Sequence, residues 1–280
     1  MSVSFFTHWN REEHKKYFNV WNKISRSYFN FLFGCYYENN YLLNYLKKNS
    51  RQSILDVGCA TGYLLRYLKL KKTKFDYHGA DISIECIDTA KKHYKDYSFT
   101  QISSDGLQKS FNPKSFDIVY SRDVAIHQLK PLNFIKDLID ISRNVLVLRI
   151  RTRDKGKTVY DPNYSCQLGN QGVGEKKDWV PVIVLNYQEL IEFLKQMKIV
   201  KKVIVNKSYT ILGGKNLLFF EKDLYLKETG GAETSLILFL DREKNNNLEV
   251  EEHTQIEGNN YLDKNKFKHY FYKLLNKIYI

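Results

Sequence analysis

From Ser53 to Ile150 the chain alternates short apolar runs with stretches whose apolar residues recur at helical spacing. No other feature of the sequence constrains the fold as strongly. The runs Ser53–Val57, Phe75–Asp81, Phe99–Ser103, Phe116–Ser121 and Asn144–Ile150 are predicted strands, and Tyr63–Leu70, Ile84–His93 and Asn133–Ile141 are predicted helices. Strands that are apolar throughout are buried on both faces, which calls for a parallel sheet covered by helices on each side. A helix over Tyr187–Met197 and strands around Lys202–Tyr209 and Ser235–Leu240 continue the pattern. With 280 residues, 43% of them hydrophobic, the chain can bury the core such a sheet needs.

Three segments flank or interrupt this body. Residues 1–50 are predicted to form a helical arm, with Tyr17, Trp21, Ile24 and Tyr28 at helical spacing and a second stretch carrying Tyr41, Leu42, Tyr45 and Leu46. Residues 154–186 show no clear periodicity and are expected to form a lid-like insertion. After the body (51–243), residues 244–280 begin as a polar linker and end in a basic amphipathic helix bearing Phe267, Tyr270, Phe271, Leu274, Leu275 and Ile278. That helix is expected to dock on its own domain, peripheral contact with an anionic membrane being the less favoured use.

The four cysteines are scattered, with no zinc spacing, which predicts free thiols and no structural metal. No apolar run reaches membrane-spanning length and the first residues turn polar too early for a secretory leader, so a cytoplasmic location is expected. The net charge of +13 is dispersed among acidic residues, which predicts a solvated basic surface, and no nucleic-acid-binding module is recognisable. Nothing in the sequence bears on oligomeric state.

The chemistry concentrates where the first strand meets its helix. Asp56 ends the strand and the chain turns through Gly58-Cys59-Ala60-Thr61-Gly62. Glycine serves where the backbone takes positive φ or approaches a ligand closely, and the helix start favours a negative group. A carboxylate beside such a loop adds a partner for an ammonium group, and the pair suits an amino-acid moiety better than a pyrophosphate. Asp81, ending the second strand 25 residues after Asp56, is placed to accept both hydroxyls of a ribose. A helix N-cap pairing with Ser83 is its structural alternative.

The run Ile54-Leu55-Asp56-Val57-Gly58-Cys59-Ala60-Thr61-Gly62 resembles the glycine-rich motif of the class I S-adenosylmethionine-dependent methyltransferases, over about residues 51–150 by motif and more loosely to about 241 by strand order. That family often carries glycine where this chain has Ala60. The resemblance implies a Rossmann-like, seven-stranded, mostly parallel sheet flanked by helices, with S-adenosyl-L-methionine as cofactor. It implies cofactor contacts from Asp56, Gly58, Cys59, Ala60, Gly62, Asp81, Ile82, Asp105, Gly106 and Ser121, with Asp105 and Gly106 meeting the adenine; an Asp-Gly turn is the simpler reading of those two. It also implies a pocket edge at Val124 and His127. His127 is a candidate general base, structural bonding to backbone being the alternative.

Arg149, Arg151 and Arg153 alternate at the end of an apolar strand and are expected on one face, where they would meet an anionic acceptor or pair with the lid acids Asp154, Asp161 and Glu175. Tyr63, Trp9, Tyr17 and Trp179 are candidate walls of the acceptor pocket. The expected activity is O- or N-methylation of a small-molecule acceptor, anionic or sugar-type. Rivals are an RNA or protein methyltransferase, a nicotinamide-dependent oxidoreductase and a non-catalytic nucleotide-binding protein. The oxidoreductase would require G-x-G-x-x-G after the first strand, which Gly58 and Gly62 do not supply.

Overall fold

A computed structural model describes residues 23–34, 36–49, 51–103, 106–162, 165–168, 179–209, 231–241 and 247–255. The elements run α1 (Arg26–Gly34), α2 (Tyr37–Lys48), β1 (Gln52–Val57), α3 (Tyr63–Leu70), β2 (Phe75–Asp81), α4 (Ile84–His93), β3 (Ser98–Gln101), α5 (Leu107–Ser110), β4 (Phe116–Arg122), a 3-10 turn (Ala125–His127), α6 (Pro131–Ile141) and β5 (Ser142–Arg153). They continue with β6 (Cys166–Leu168), β7 (Trp179–Pro181), β8 (Leu185–Asn186), α7 (Tyr187–Gln196), β9 (Val200–Ser208), β10 (Gly231–Leu240) and β11 (Glu249–Gln255).

The main sheet has nine strands in the order β11-β9-β10-β5-β4-β1-β2-β3, with β8 pairing to β5 off that path. Only β10 is antiparallel to its neighbours β5 and β9; the other pairings in this sheet are parallel. Strand order reverses between β1 and β4, which is where an open α/β sheet leaves a crevice at its carboxyl ends.

Two cores explain why the strands are apolar on both faces. Leu55, Val57, Leu146 and Leu148 pack with Ile135 and Leu138 of α6 and Leu190 and Leu194 of α7. Ile54, Ile118, Val145 and Val147 pack on the opposite face with Phe29, Phe33 and Leu42 of the arm and Leu65 and Leu68 of α3. Helix ends follow local chemistry: Ser83 caps α4 by accepting from Cys86 N–H at 3.3 Å, Pro131 opens α6, and Asn186 caps α7 by accepting from Glu189 N–H at 3.0 Å.

Several expectations change. The sheet has nine strands where seven were expected, because β8 and β11 join it. Residues 249–255, expected in a linker, form β11 along β9: Glu249 and Glu251 meet Lys202, so the charged run is the solvated face of an edge strand. The end of the supposed lid is interior, since Val180, Val182, Ile183, Val184 and Leu185 are buried and β6 pairs β7 as a small hairpin. Five apolar residues this close in sequence cannot be left to water without a large cost.

Of residues 1–50, α1 and α2 are described, α1 packing on α3 with Arg66 donating to the Ile24 carbonyl at 2.7 Å. Tyr17, Trp21, the segment 213–230 and the C-terminal helix lie outside the described residues. Among the described residues no helix is long and apolar enough to cross a membrane, and no cluster of His, Cys, Asp and Glu suits a metal.

Candidate functional site

The loop after β1 owes its shape to two glycines. Gly58 sits at φ +81°, and a Cβ there would lie 2.2 Å from Val124 Cγ2. Gly62, at φ +90°, caps α3, and a Cβ there would meet the Tyr94 ring at 2.8 Å. Between them Ala60 also adopts a left-handed conformation, φ +47°, which costs a non-glycine residue about 1 kcal/mol. That turn aims the Ala60 N–H at Asp81 Oδ2, 2.8 Å away, while Gly58 and Cys59 N–H donate to the Ala80 carbonyl at 2.8 and 3.1 Å. The loop is thus stitched to the end of β2.

Asp81 accepts a second bond, from Ser83 N–H to Oδ1 at 2.9 Å. Both carboxylate oxygens therefore hold backbone donors, and the Ile82 N–H adds to the attraction, so that these donors together oppose the rise that burial imposes on the carboxyl. The structural alternative describes what is seen, since Asp81 braces the start of α4, whose cap is Ser83.

Asp56 is 3% exposed and accepts from the Tyr77 hydroxyl at 2.6 Å. Burial pushes its carboxyl up to about 7, with the nearby Asp81 charge adding to the rise and the Tyr77 bond opposing it. The same burial pushes the Tyr77 hydroxyl up. A buried acid pushed up to about 7 at the base of a glycine loop suits a cationic group, which would favour its ionised form.

The remaining cofactor candidates divide. Cys59 is buried, its thiol pushed up by burial, so its backbone is what the loop uses. Ser121 is buried and donates to the Val57 carbonyl at 3.0 Å, bracing β4 against β1, as a buried hydroxyl must find a partner. Ile82 packs against the first core. Gly106 approaches Ser103 so closely that a Cβ would fall 2.0 Å from its Oγ. Asp105 lies outside the described residues, as do Trp9 and Glu175.

Beyond β4 the chain turns through Asp123, a non-glycine residue at φ +59°. Sequence reasoning passed over it; a charged residue directly after a strand at the switch point was the available signal. Burial raises its carboxyl, but Arg149, Arg122 and Arg151 outweigh that and hold it below the usual carboxylate range. His127 follows, its Nδ1 2.7 Å from the Pro181 carbonyl. A carbonyl only accepts, so Nδ1 carries the proton and Nε2 is the basic nitrogen of the neutral ring.

Arg149, Arg151 and Arg153 continue the face begun by Val145 and Val147, as expected, but the partners differ from those anticipated. Arg149 pairs with Glu233 of β10, with Asp123 at 3.5 Å and with Glu38 of α2 at 3.8 Å. Asp154, the anticipated lid partner, is held by Lys207 at 3.2 Å and the Tyr209 hydroxyl at 2.6 Å. Arg122, unremarked in the sequence, adds a guanidinium 3.7 Å from the centre of the Tyr36 ring. Tyr63, expected to line the acceptor pocket, packs instead with Phe29 and Phe33, ring centres 6.5 and 6.2 Å apart, because α3 turns it toward α1. Trp179 lies on β7.

Comparison with known proteins bears on the fold and on one segment of the chain. Residues 31–168 match a family model described as a methyltransferase domain. Over 158 residues the chain is 25% identical to sterol 24-C-methyltransferase of Candida albicans, covering 44% of this chain and 41% of that protein. The chain thus matches about two fifths of the length of that relative. Among solved structures, phosphoethanolamine N-methyltransferase 2 of Haemonchus contortus, in complex with S-adenosyl-L-methionine, aligns with a TM-score of 0.54 at 14% identity, covering 85% of this chain and 60% of that one. The MccD protein aligns with a TM-score of 0.51 at 13% identity, covering 73% of this chain and 97% of that one. Residues 31–168 are thus similar to a methyltransferase domain, and the aligned structures share the fold of this chain.

Proposed function

We propose that the chain transfers the methyl group of S-adenosylmethionine to an oxygen or nitrogen of a small-molecule acceptor carrying an anionic or sugar-type polar group. One observation carries the reading: the glycine loop, Asp56 and Asp81 lie together at the carboxyl ends of β1 and β2, beside the ionic ends of β4 and β5. Asp56 suits the ammonium of the cofactor's amino-acid part, and Asp81 suits its ribose hydroxyls through the lone pairs its backbone donors leave. When bound, the cofactor supplies a methyl group made electrophilic by a positively charged sulfur.

The residues of the chain align and shield. The α1–α2 arm and the strand ends exclude water from the acceptor side, and His127 Nε2 is the nitrogen placed to take a proton from an acceptor hydroxyl or amine. The two relatives are named sterol 24-C-methyltransferases, after an apolar acceptor. Here the ends of β4, β5 and β10 carry Arg122, Arg149 and Glu233 with Glu38 of α2 beside them, charges that apolar rings would strand without partners.

The test is thermal stabilisation by S-adenosylmethionine, S-adenosylhomocysteine and NAD side by side. The first two should raise the melting midpoint and NAD should not; a shift with NAD alone would refute the reading. Asp81→Ala should abolish the S-adenosyl shift, and an unchanged shift would show that the ribose is bound elsewhere.

A further inference from the structure

At the carboxyl ends of β4 and β5, under α2, five polar atoms are buried without a hydrogen-bond partner: Glu38 Oε1, Arg122 Nε, Asp123 Oδ1, Arg149 Nε and Arg149 Nη1. They are not scattered. Glu38 Oε1 is 3.6 Å from Arg122 Nε and 3.8 Å from Arg149 Nη1, while Asp123 Oδ1 is 3.5 Å from Arg149 Nε. A charge-assisted N–H···O bond closes to about 2.7–2.9 Å, so these pairs attract without bonding. The side chains are held off one another by their other contacts. Glu38 Oε2 accepts from Ser235 at 2.7 Å, Arg149 Nη2 pairs with Glu233, and the Tyr36 ring lies 3.7 and 4.4 Å from the two guanidinium carbons.

Unpaired buried groups of this kind are costly unless something completes them. What completes them is set by their polarity. The Glu38 gap joins two donor nitrogens to one acceptor oxygen and the Asp123 gap joins one to one, and a hydroxyl set beside either can accept from nitrogen while donating to the carboxylate. A phosphate or carboxylate offers acceptors alone and would sit against Glu38 and Asp123. An ammonium offers donors alone and would sit against the arginines. The charges of Arg122, Arg149 and Arg151 are matched by those of Glu38, Asp123 and Glu233, so the cluster presents no net charge to an ion.

We propose that this cluster is the acceptor's recognition site and that the acceptor is a neutral polyhydroxylated molecule, of sugar or cyclitol type, held by two neighbouring hydroxyls. The two gaps share Arg149, which places the two hydroxyls side by side. The site opens outward through Asp123 and Arg122, whose side chains are 34% and 19% exposed, and is closed below by Glu38 and Arg149, at 2% and 5%. It borders the cofactor loop, because Asp123 precedes Val124, the residue packed on Gly58. In the reaction an acceptor oxygen forms its bond to the methyl carbon and the carbon–sulfur bond breaks with its electron pair left on sulfur. The hydroxyl proton passes to His127 Nε2 and from there to solvent.

This inference rests on the methyltransferase reading, and the experiment separates the two. Full-length protein that S-adenosylmethionine stabilises thermally is given labelled cofactor with methyl glucoside or inositol, and in parallel with glucose phosphate or glucuronate. Label should enter a neutral polyol, with the anionic counterparts slower by about tenfold or more. Glu38→Gln and the more exposed Asp123→Asn should each raise the acceptor KM about tenfold while leaving kcat within about threefold, since each removes a hydrogen-bond partner of the bound hydroxyls. Transfer to the anionic compounds in preference would overturn the inference. So would a stabilised enzyme that methylates no neutral polyol, which would assign the gaps to ordered water. Protein that S-adenosylmethionine fails to stabilise would instead refute the methyltransferase reading itself.

Discussion

Replacing Asp56 by asparagine keeps the shape of the side chain and an acceptor for the Tyr77 hydroxyl, and removes only the charge. In the native protein that carboxyl is pushed up to about 7, against 3.8 for the ordinary value. The difference of 3.2 (7 less 3.8) corresponds to about 4 kcal/mol against the ionised form in the folded state. A group held above its unfolded value stabilises the fold fully below about pH 4 and loses that contribution as pH rises through about 7. Between pH 5 and pH 8 the native protein should therefore lose about 2.5 kcal/mol through this group alone. Asp56→Asn lacks the titration, so the variant should be the more stable of the two at pH 8, with its advantage shrinking by that amount at pH 5. Urea unfolding of both proteins across this range, without cofactor, measures the difference directly. A variant less stable than the native chain at pH 8, or an advantage that does not change with pH, would refute the burial argument. The same variant should bind S-adenosylmethionine more weakly, which gives the reason a destabilising acid would be kept in the loop.

Other changes probe the loop and the ionic strand ends. Gly58→Ala meets both a left-handed backbone and Val124 Cγ2, and should cost about 2–3 kcal/mol in urea unfolding, with Val124→Ala restoring part of the loss. If Val124→Ala restores nothing, the close contact is not the cause. Ala60→Gly relieves a left-handed alanine at the price of a more flexible unfolded chain, so stability should change by less than about 1 kcal/mol, whereas Ala60→Val should cost about 2 kcal/mol. Equal effects of the two would show that φ at this position is not limiting. Glu233→Ala leaves Arg149 buried with only its two longer contacts and should cost about 3 kcal/mol by the same measurement. A loss under about 1 kcal/mol would mean the arginine is solvated in the folded state.

The alternation of strand and helix, the parallel sheet and the loop after β1 were legible because each rests on local signals. Strand 54–57 is apolar on both faces, and an acid followed by Gly58 and Gly62 marks a turn only such residues can make. Asp81 was legible for the same reason, standing at a strand end in the expected order. β11 was hidden because its charged residues look like linker until Lys202 lies opposite them, and 179–186 because an apolar run beside a polar insertion carries no period. Which acids meet Arg149 could not be read at all. Glu38, Asp123 and Glu233 are separated by as much as the length of the domain and converge only when α2 folds over the ends of β4, β5 and β10. The sequence by itself determined the backbone plan and the glycine loop after β1, since periodicity and glycine act over a few neighbouring residues. Only the tertiary structure decided the ionic cluster at the ends of β4, β5 and β10, because charge balance and unpaired buried atoms are properties of groups brought together from distant parts of the chain.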